Sequence, residues 1–189
     1  LRLILVSSLL LIIFSCSSTS KNNLNTGSSK SDIALYKEGM RYLKLKDFEN
    51  AIEIFTELEI VHPYSSLSSK SQLMAGFAQY MSNEYEEAIL TLTKFIELNP
   101  DHESIPYAMY LKAFSYYERM PSVNFDQRTS EKAIEEFKEL INKFPKSRYS
   151  KKARLHLNTL NNHLAAREIE IAKFYQSQGF YLALSLIHI

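Results

Sequence analysis

Residues 34–63 read ALYKEGMRYLKLKDFENAIEIFTELEIVHP, and their pattern indicates the fold of the chain. Its charged residues are interleaved with apolar ones in the way that is typical of helices with one wet face and one dry face. Gly39 lies in the middle of the first helical segment, and a second segment opens near Ala51 and is stopped by Pro63. The stretch therefore predicts two helices joined by a short turn.

The same arrangement recurs twice further along the chain, with intervals of 37 residues between the small residues and of 37 and 45 between the prolines. The matching positions are Gly39, Tyr42, Ala51, Phe55 and Pro63; Gly76, Ala88, Leu92 and Pro100; and Ala113, Tyr116, Ala133, Phe137 and Pro145. The third unit thus has eight extra residues between its helices, and these fall within 120–130. We expect the two helices of a unit to approach closely at the small residue, because a side chain is nearly absent there.

This pattern resembles the tetratricopeptide repeat, which implies an all-α solenoid of antiparallel helix pairs. Beyond Pro145 we predict a helix from about Ser147 to Asn162, another from Ala165 to Gln178, and a turn at Gly179. The predicted repeat domain spans 32–183, about four and a half units. We interpret 184–189 as a cloning or assembly artefact, the alternative being that these are ordinary apolar positions of the last helix.

The N-terminal region predicts export and lipidation. The apolar run from Leu3 to Phe14 has twelve residues, whereas a helix that spans a bilayer needs about 20. Ile13-Phe14-Ser15-Cys16 resembles a bacterial lipobox, so we predict a signal peptide at 1–15 and a lipidated Cys16, with outer-membrane sorting because Ser17 follows in place of aspartate. Ordinary secretion with an incidental cysteine is the alternative.

Residues 17–31 are polar except for Leu24, and the chain as a whole is nearly neutral. Such a polar segment cannot bury enough surface to offset its ordering entropy, so residues 16–31 are predicted to be a lipidated cysteine and a flexible tether. The formal net charge of +1 argues against nucleic acid as a partner.

The first helices of the units predict a peptide groove, because these helices line the concave face of such a solenoid. The predicted groove residues are Tyr36, Met40, Leu73, Phe77, Tyr80, Tyr107, Tyr110, Phe114 and Tyr117. Aromatic anchors with polar handles suit a peptide whose apolar side chains dock while its backbone finds hydrogen-bond partners. An unfolded β-barrel precursor with aromatic-ended strands is such a ligand. The alternative is that some of these residues belong to the core between helices.

Several further segments resemble the BamD family, the lipoproteins of the outer-membrane β-barrel assembly machinery. The matching segments are Tyr36-Lys37-Glu38-Gly39-Met40, His62-Pro63-Tyr64-Ser65, Gln72-Leu73-Met74, Tyr107-Ala108-Met109-Tyr110-Leu111-Lys112, Asp126-Gln127, Phe144-Pro145-Lys146-Ser147, Leu164-Ala165-Ala166-Arg167-Glu168 and Phe174-Tyr175. The chain departs from the family at Phe125 and His156, where or near where the family tends to have arginine.

The resemblance implies a non-catalytic scaffold on the outer membrane, facing the periplasm. It implies as partners the barrel-forming subunit, other lipoproteins of the machinery and unfolded outer-membrane protein precursors, with Asp126, Gln127 and Glu168 as partner-binding residues. A different lipid-anchored adaptor that coordinates envelope or division proteins is the alternative, and an enzyme is a third reading.

The sequence predicts no catalytic site, metal or cofactor. The histidines are not arranged with cysteines or carboxylates at ligand spacing, and His156 and His163 are predicted to share a solvated helix face. Glu86-Glu87 and Glu135-Glu136 are predicted to flank helix openings, where acids interact favourably with the helix dipole.

Overall fold

The computed structural model of the chain describes residues 30–119 and 127–181. These residues form seven helices: α1 Asp32–Lys44, α2 Phe48–Val61, α3 Ser68–Met81, α4 Tyr85–Leu98, α5 Ile105–Glu118, α6 Gln127–Lys143 and α7 Arg148–Ser177. Each helix packs against its neighbour in the chain, and α1, α3, α5 and α7 also contact one another in succession. The prediction of an all-α solenoid of helix pairs is confirmed.

Several predictions fall outside the described residues. They are the signal peptide, Cys16 and most of the tether at 1–29, Asp126 with the rest of 120–126, and the tail within 182–189. No helix in the described part of the chain is long and apolar enough to cross a membrane.

Local sequence explains where the helices begin and turn. The Ser31 hydroxyl accepts a hydrogen bond from the Ala34 N–H at 3.2 Å, and Ser147 caps α7 in the same way through the N–H of Tyr149. The turns between the helices of the first two units each use a residue with positive φ, Lys46 at 60° and Asn83 at 66°. These residues are 37 positions apart, so the repeat extends to the turn geometry.

The small residues allow the paired helices to approach each other closely. A Cβ atom added to Gly39 would lie 2.6 Å from Cε1 of Phe55, and one added to Gly76 would lie 2.9 Å from Cδ2 of Leu92. In the third unit Ala113 is fully buried. The predicted close approach at these positions is confirmed, since real Cβ atoms do not come so near to other heavy atoms.

The predicted break between Asn162 and Ala165 is wrong, because α7 (Arg148–Ser177) is one uninterrupted helix of 30 residues. Neither proline nor glycine occurs at 163–164, so nothing in the backbone stops the helix there. The helix ends before Gly179, whose φ of +74° confirms the turn that was predicted at this glycine.

The paired glutamates agree with the prediction in the second unit but not in the third. Glu86 and Glu87 lie in the first turn of α4 as predicted. Because α6 already begins at Gln127, Glu135 and Glu136 lie in the middle of that helix, so the prediction that they flank a helix opening is wrong. Residues 127–130 of the predicted insertion are helical.

Candidate functional site

The predicted groove residues lie on α1, α3 and α5, and all except Leu73 are half-buried. Leu73 is only 4% exposed and belongs to the core formed with residues of α4 and α5. The prediction that Leu73 lines an open groove is therefore wrong, because its side chain is buried among residues of α4 and α5. Tyr36 and Met40 pack against the smaller core of the first unit, and the Tyr36 ring centroid lies 5.9 Å from that of Phe55.

The remaining six residues all pack against the larger core, and we call them the aromatic surface: Phe77, Tyr80, Tyr107, Tyr110, Phe114 and Tyr117. Tyr110, Phe114 and Tyr117 lie about one turn apart on one face of α5, at positions i, i+4 and i+7. Tyr110 and Phe114 are stacked at 5.7 Å with an interplanar angle of 11°, and Phe114 and Tyr117 at 5.4 Å with 8°. Tyr80 joins from α3, with its ring centroid 5.8 Å from that of Phe114.

Helix α7 contributes two rings to this cluster that the sequence analysis missed. The His156 ring lies 4.8 Å from Phe114 and 5.2 Å from Tyr117, and Nε2 of His156 is 3.1 Å from the Tyr110 hydroxyl. Tyr149 lies 5.3 Å from Tyr107. The prediction that His156 shares a solvated face with His163 is wrong, because His156 is half-buried while His163 is exposed. The signal in the sequence was the interval of seven between Tyr149 and His156, which places both rings on one helix face.

Burial sets the protonation of this cluster. It raises the pKa of Tyr80 to about 12, and the charge of Glu118 adds to this effect. It also raises the pKa of Tyr107 to about 12, with a further contribution from Tyr149. Both phenols are therefore neutral hydrogen-bond donors near neutral pH. Burial and the nearby Lys152 ammonium lower the pKa of His156 below its ordinary value, which favours the uncharged ring.

The lowered pKa of His156 predicts a stability that falls as the pH falls. Below the ordinary histidine pKa near 6.5, the unfolded chain takes up a proton that the folded chain resists, so acidification favours unfolding. We expect His156→Phe, which keeps an aromatic ring, to reduce the difference in urea midpoint between pH 8 and pH 5. An unchanged difference between the two pH values would contradict this assignment.

Of the predicted partner-binding residues, Asp126 lies outside the described residues. Gln127 is the first residue of α6, and Glu168 is exposed on α7. A cavity of about 200 Å³ lies between α5, α6 and α7. It is lined by Tyr117, Glu118, Ser130, Leu160, His163, Leu164 and Arg167. Thus Tyr117 belongs to both the aromatic surface and this cavity. Within 30–119 and 127–181, no group of three or more histidine, cysteine or acidic residues could hold a metal ion.

Comparison with known proteins identifies the family of this chain. A family model described as "YfiO: Outer membrane lipoprotein" matches residues 28–185. The chain belongs to this family. Relatives named "Outer membrane protein assembly factor BamD" include one from Caulobacter vibrioides, 39% identical over 149 residues, which are 79% of this chain and 49% of the relative. The relative from Rickettsia prowazekii is 36% identical over 141 residues, 75% of this chain and 56% of its own.

These relatives confirm the resemblance to the BamD family that the sequence motifs indicated. The chain spans about half the length of the curated relatives it matches. The segments that carried the resemblance, from Tyr36 to Tyr175, all fall inside the matched residues 28–185. The family match therefore covers the whole described solenoid.

Solved structures support the fold at lower sequence identity. The TPR2AB domain of yeast Sti1 aligns with a TM-score of 0.58 at 19% identity, over 81% of this chain and 58% of that one. MamA from Desulfovibrio magneticus aligns with a TM-score of 0.55 at 18% identity, over 81% of this chain and 77% of that one. At this level of identity the likeness shows the shared repeat fold alone.

Proposed function

We propose that this chain is a non-catalytic scaffold in the assembly and insertion of outer-membrane β-barrel proteins. The observation that carries the proposal is the family match over residues 28–185, together with relatives named as outer membrane protein assembly factors. In this proposal Cys16 carries the lipid anchor and the solenoid faces the periplasm. Its partners are the barrel-forming subunit and other lipoproteins of the machinery, with Asp126, Gln127 and Glu168 in the contact.

We further propose that the aromatic surface receives segments of unfolded barrel precursors. Its rings are half-buried, so each offers a rigid edge or face to a ligand at little cost in side-chain entropy. The phenol of Tyr80 stays protonated and can donate a hydrogen bond to a carbonyl of an extended peptide. Because Tyr149 and His156 cover the α5 end of the cluster, we place the docking region at Phe77 and Tyr80 on α3.

The scaffold role is tested by co-isolation from detergent-solubilised envelopes. A tagged, full-length version of the protein is expected to recover the barrel-forming subunit under conditions in which an unrelated lipoprotein does not. The recovered protein is identified by mass spectrometry and by its heat-dependent migration as a folded barrel. Failure to recover a barrel-forming partner would remove the basis of the proposal.

The docking region is tested with a synthetic strand peptide that ends in an aromatic residue. We expect Phe77→Ala with Tyr80→Ala to weaken its binding at least about tenfold, since an aromatic anchor contributes roughly 1 kcal/mol or more. The matched control is Ile60→Ala with Leu90→Ala, which removes two exposed apolar side chains from the second helices. Affinity is measured by fluorescence anisotropy, and circular dichroism checks the helical content. Equal losses in the two variants would argue against a site on α3.

A further inference from the structure

The near-neutral net charge conceals a strongly basic segment. Lysine and arginine number 22 against 21 acidic residues in the whole chain, yet residues 140–167 contain no aspartate or glutamate. The same segment holds seven cations, and five of them fall within the nine residues 146–154. We call these five residues the basic patch: Lys146, Arg148, Lys151, Lys152 and Arg154.

The basic patch is exposed and is not neutralised by the rest of the described chain. All five residues are exposed, in the loop before α7 and in the first two turns of that helix. None of them forms an ion pair with another described residue, whereas Lys143, just before the patch, is paired with Glu139 at 2.6 Å. Cations near the start of a helix also interact unfavourably with its dipole. The patch therefore costs the folded domain some stability, which a binding role would explain.

The patch lies at the edge of the solenoid from which the chain leaves toward its N-terminus. Because successive helices are antiparallel, α1 and α7 begin at the same edge. Contacts at this edge hold the start of α1 against the loop between α2 and α3. Nε2 of His62 donates to the Lys30 carbonyl at 2.8 Å, and the Ser65 hydroxyl donates to the Asp32 carboxylate at 2.5 Å. The segment that precedes Lys30 therefore joins the domain at the edge that carries the patch.

We propose that the basic patch docks on a membrane surface of anionic phospholipid headgroups. The partner follows from charge and placement: the chain belongs to a family of outer membrane lipoproteins, and the edge that carries the patch is the one nearest to an N-terminal anchor. Each cation near an anionic bilayer contributes about 1 kcal/mol. Five such contributions give a free protein measurable binding, and they are sufficient to orient one already held at the surface, where the effective concentration of lipid is high.

The neighbouring loop limits how the domain lies on the membrane. Asp101 and Glu103, in the loop between α4 and α5, are exposed at the same edge. Anionic headgroups repel these carboxylates, so contact is confined to the end of the edge formed by α7. Contact through α7 leaves Phe77 and Tyr80 on α3 accessible.

The test uses the mature chain from residue 16 with Cys16→Ser, so that no acyl chain contributes to binding. It is mixed with vesicles of phosphatidylethanolamine, with or without one third phosphatidylglycerol, and the bound fraction is measured by sedimentation. We expect binding only to the vesicles with phosphatidylglycerol, and its loss at high salt. Lys151→Gln with Arg154→Gln should weaken it about 30-fold, which corresponds to two cations at about 1 kcal/mol each.

The matched control is Lys44→Gln with Lys46→Gln, which removes two exposed cations at the opposite edge and should leave vesicle binding unchanged. Equal losses in both variants, or equal binding to the neutral vesicles, would overturn the proposal. So would binding of soluble polyglutamate through the patch without binding to vesicles, because the partner would then be an acidic polypeptide. The mixture contains neither precursor nor barrel protein, so its outcome is independent of the proposed assembly role.

Discussion

Gly39→Ala is expected to lower the free energy of unfolding by about 1–3 kcal/mol, as overpacking in a core does. On an open helix surface the same change would stabilise by up to about 1 kcal/mol, because alanine is the better helix former. Here the new Cβ would lie 2.6 Å from Cε1 of Phe55, whose side chain is fully buried. The Phe55 ring must therefore move within a fully buried environment.

A double-mutant cycle with Phe55→Leu separates this overlap from other effects. Alone, Phe55→Leu leaves a void and should cost about 1–2 kcal/mol. Combined with Gly39→Ala, it makes room for the new methyl group, so the double variant should be more stable than the sum of the single changes by at least about 0.5 kcal/mol. The free energies are obtained from urea unfolding followed by circular dichroism.

Gly179→Ala provides the control for this cycle. Gly179 has a φ of +74° and no atom within 4 Å of its added Cβ, so alanine there suffers backbone strain without a packing clash. Its cost should be unaffected by Phe55→Leu. Additive behaviour of Gly39→Ala and Phe55→Leu would show that the helices of the first unit do not meet as described.

The repeat could be predicted from the sequence because each repeated residue has one local physical role. The prolines end the second helices, and the small residues allow the close contact with Phe55 and Leu92. These roles act within a single unit, so the spacing of the residues along the chain already encodes them. The same holds for Gly179, where the backbone conformation itself requires a residue that tolerates positive φ.

The features that the sequence did not predict depend on how one unit meets the next. Whether Leu73 faces the core or the concave side is decided by α4 and α5, which pack against it. Similarly, His156 is covered because α7 packs against α5. The interval between Tyr149 and His156 indicates that both rings share one face of α7, but it does not specify which helix that face meets. The basic segment was hidden for another reason, since the net charge was averaged over the whole chain.

The ion pair between Lys112 and Glu136 is expected to make a large contribution to stability. Nζ of Lys112 lies 2.8 Å from Oε1 of Glu136, and the two side chains are 15% and 11% exposed. The pair joins α5 to α6 within the third unit. We expect Lys112→Met to lower the free energy of unfolding by about 3–5 kcal/mol, because it leaves a nearly buried carboxylate without its ion-pair partner.

Removing both charges should cost much less than removing one. In Lys112→Met with Glu136→Leu no charge is left to desolvate, so the double variant is expected to recover most of the stability lost in the single variant. Lys143→Met is the matched control, because its partner Glu139 lies on the same helix at 2.6 Å and the two side chains are 57% and 43% exposed. Water replaces the lost partner there, and the cost should stay below about 1 kcal/mol. If Lys112→Met proved no more costly than Lys143→Met in urea unfolding, burial of the Lys112–Glu136 pair would not be what joins α5 to α6.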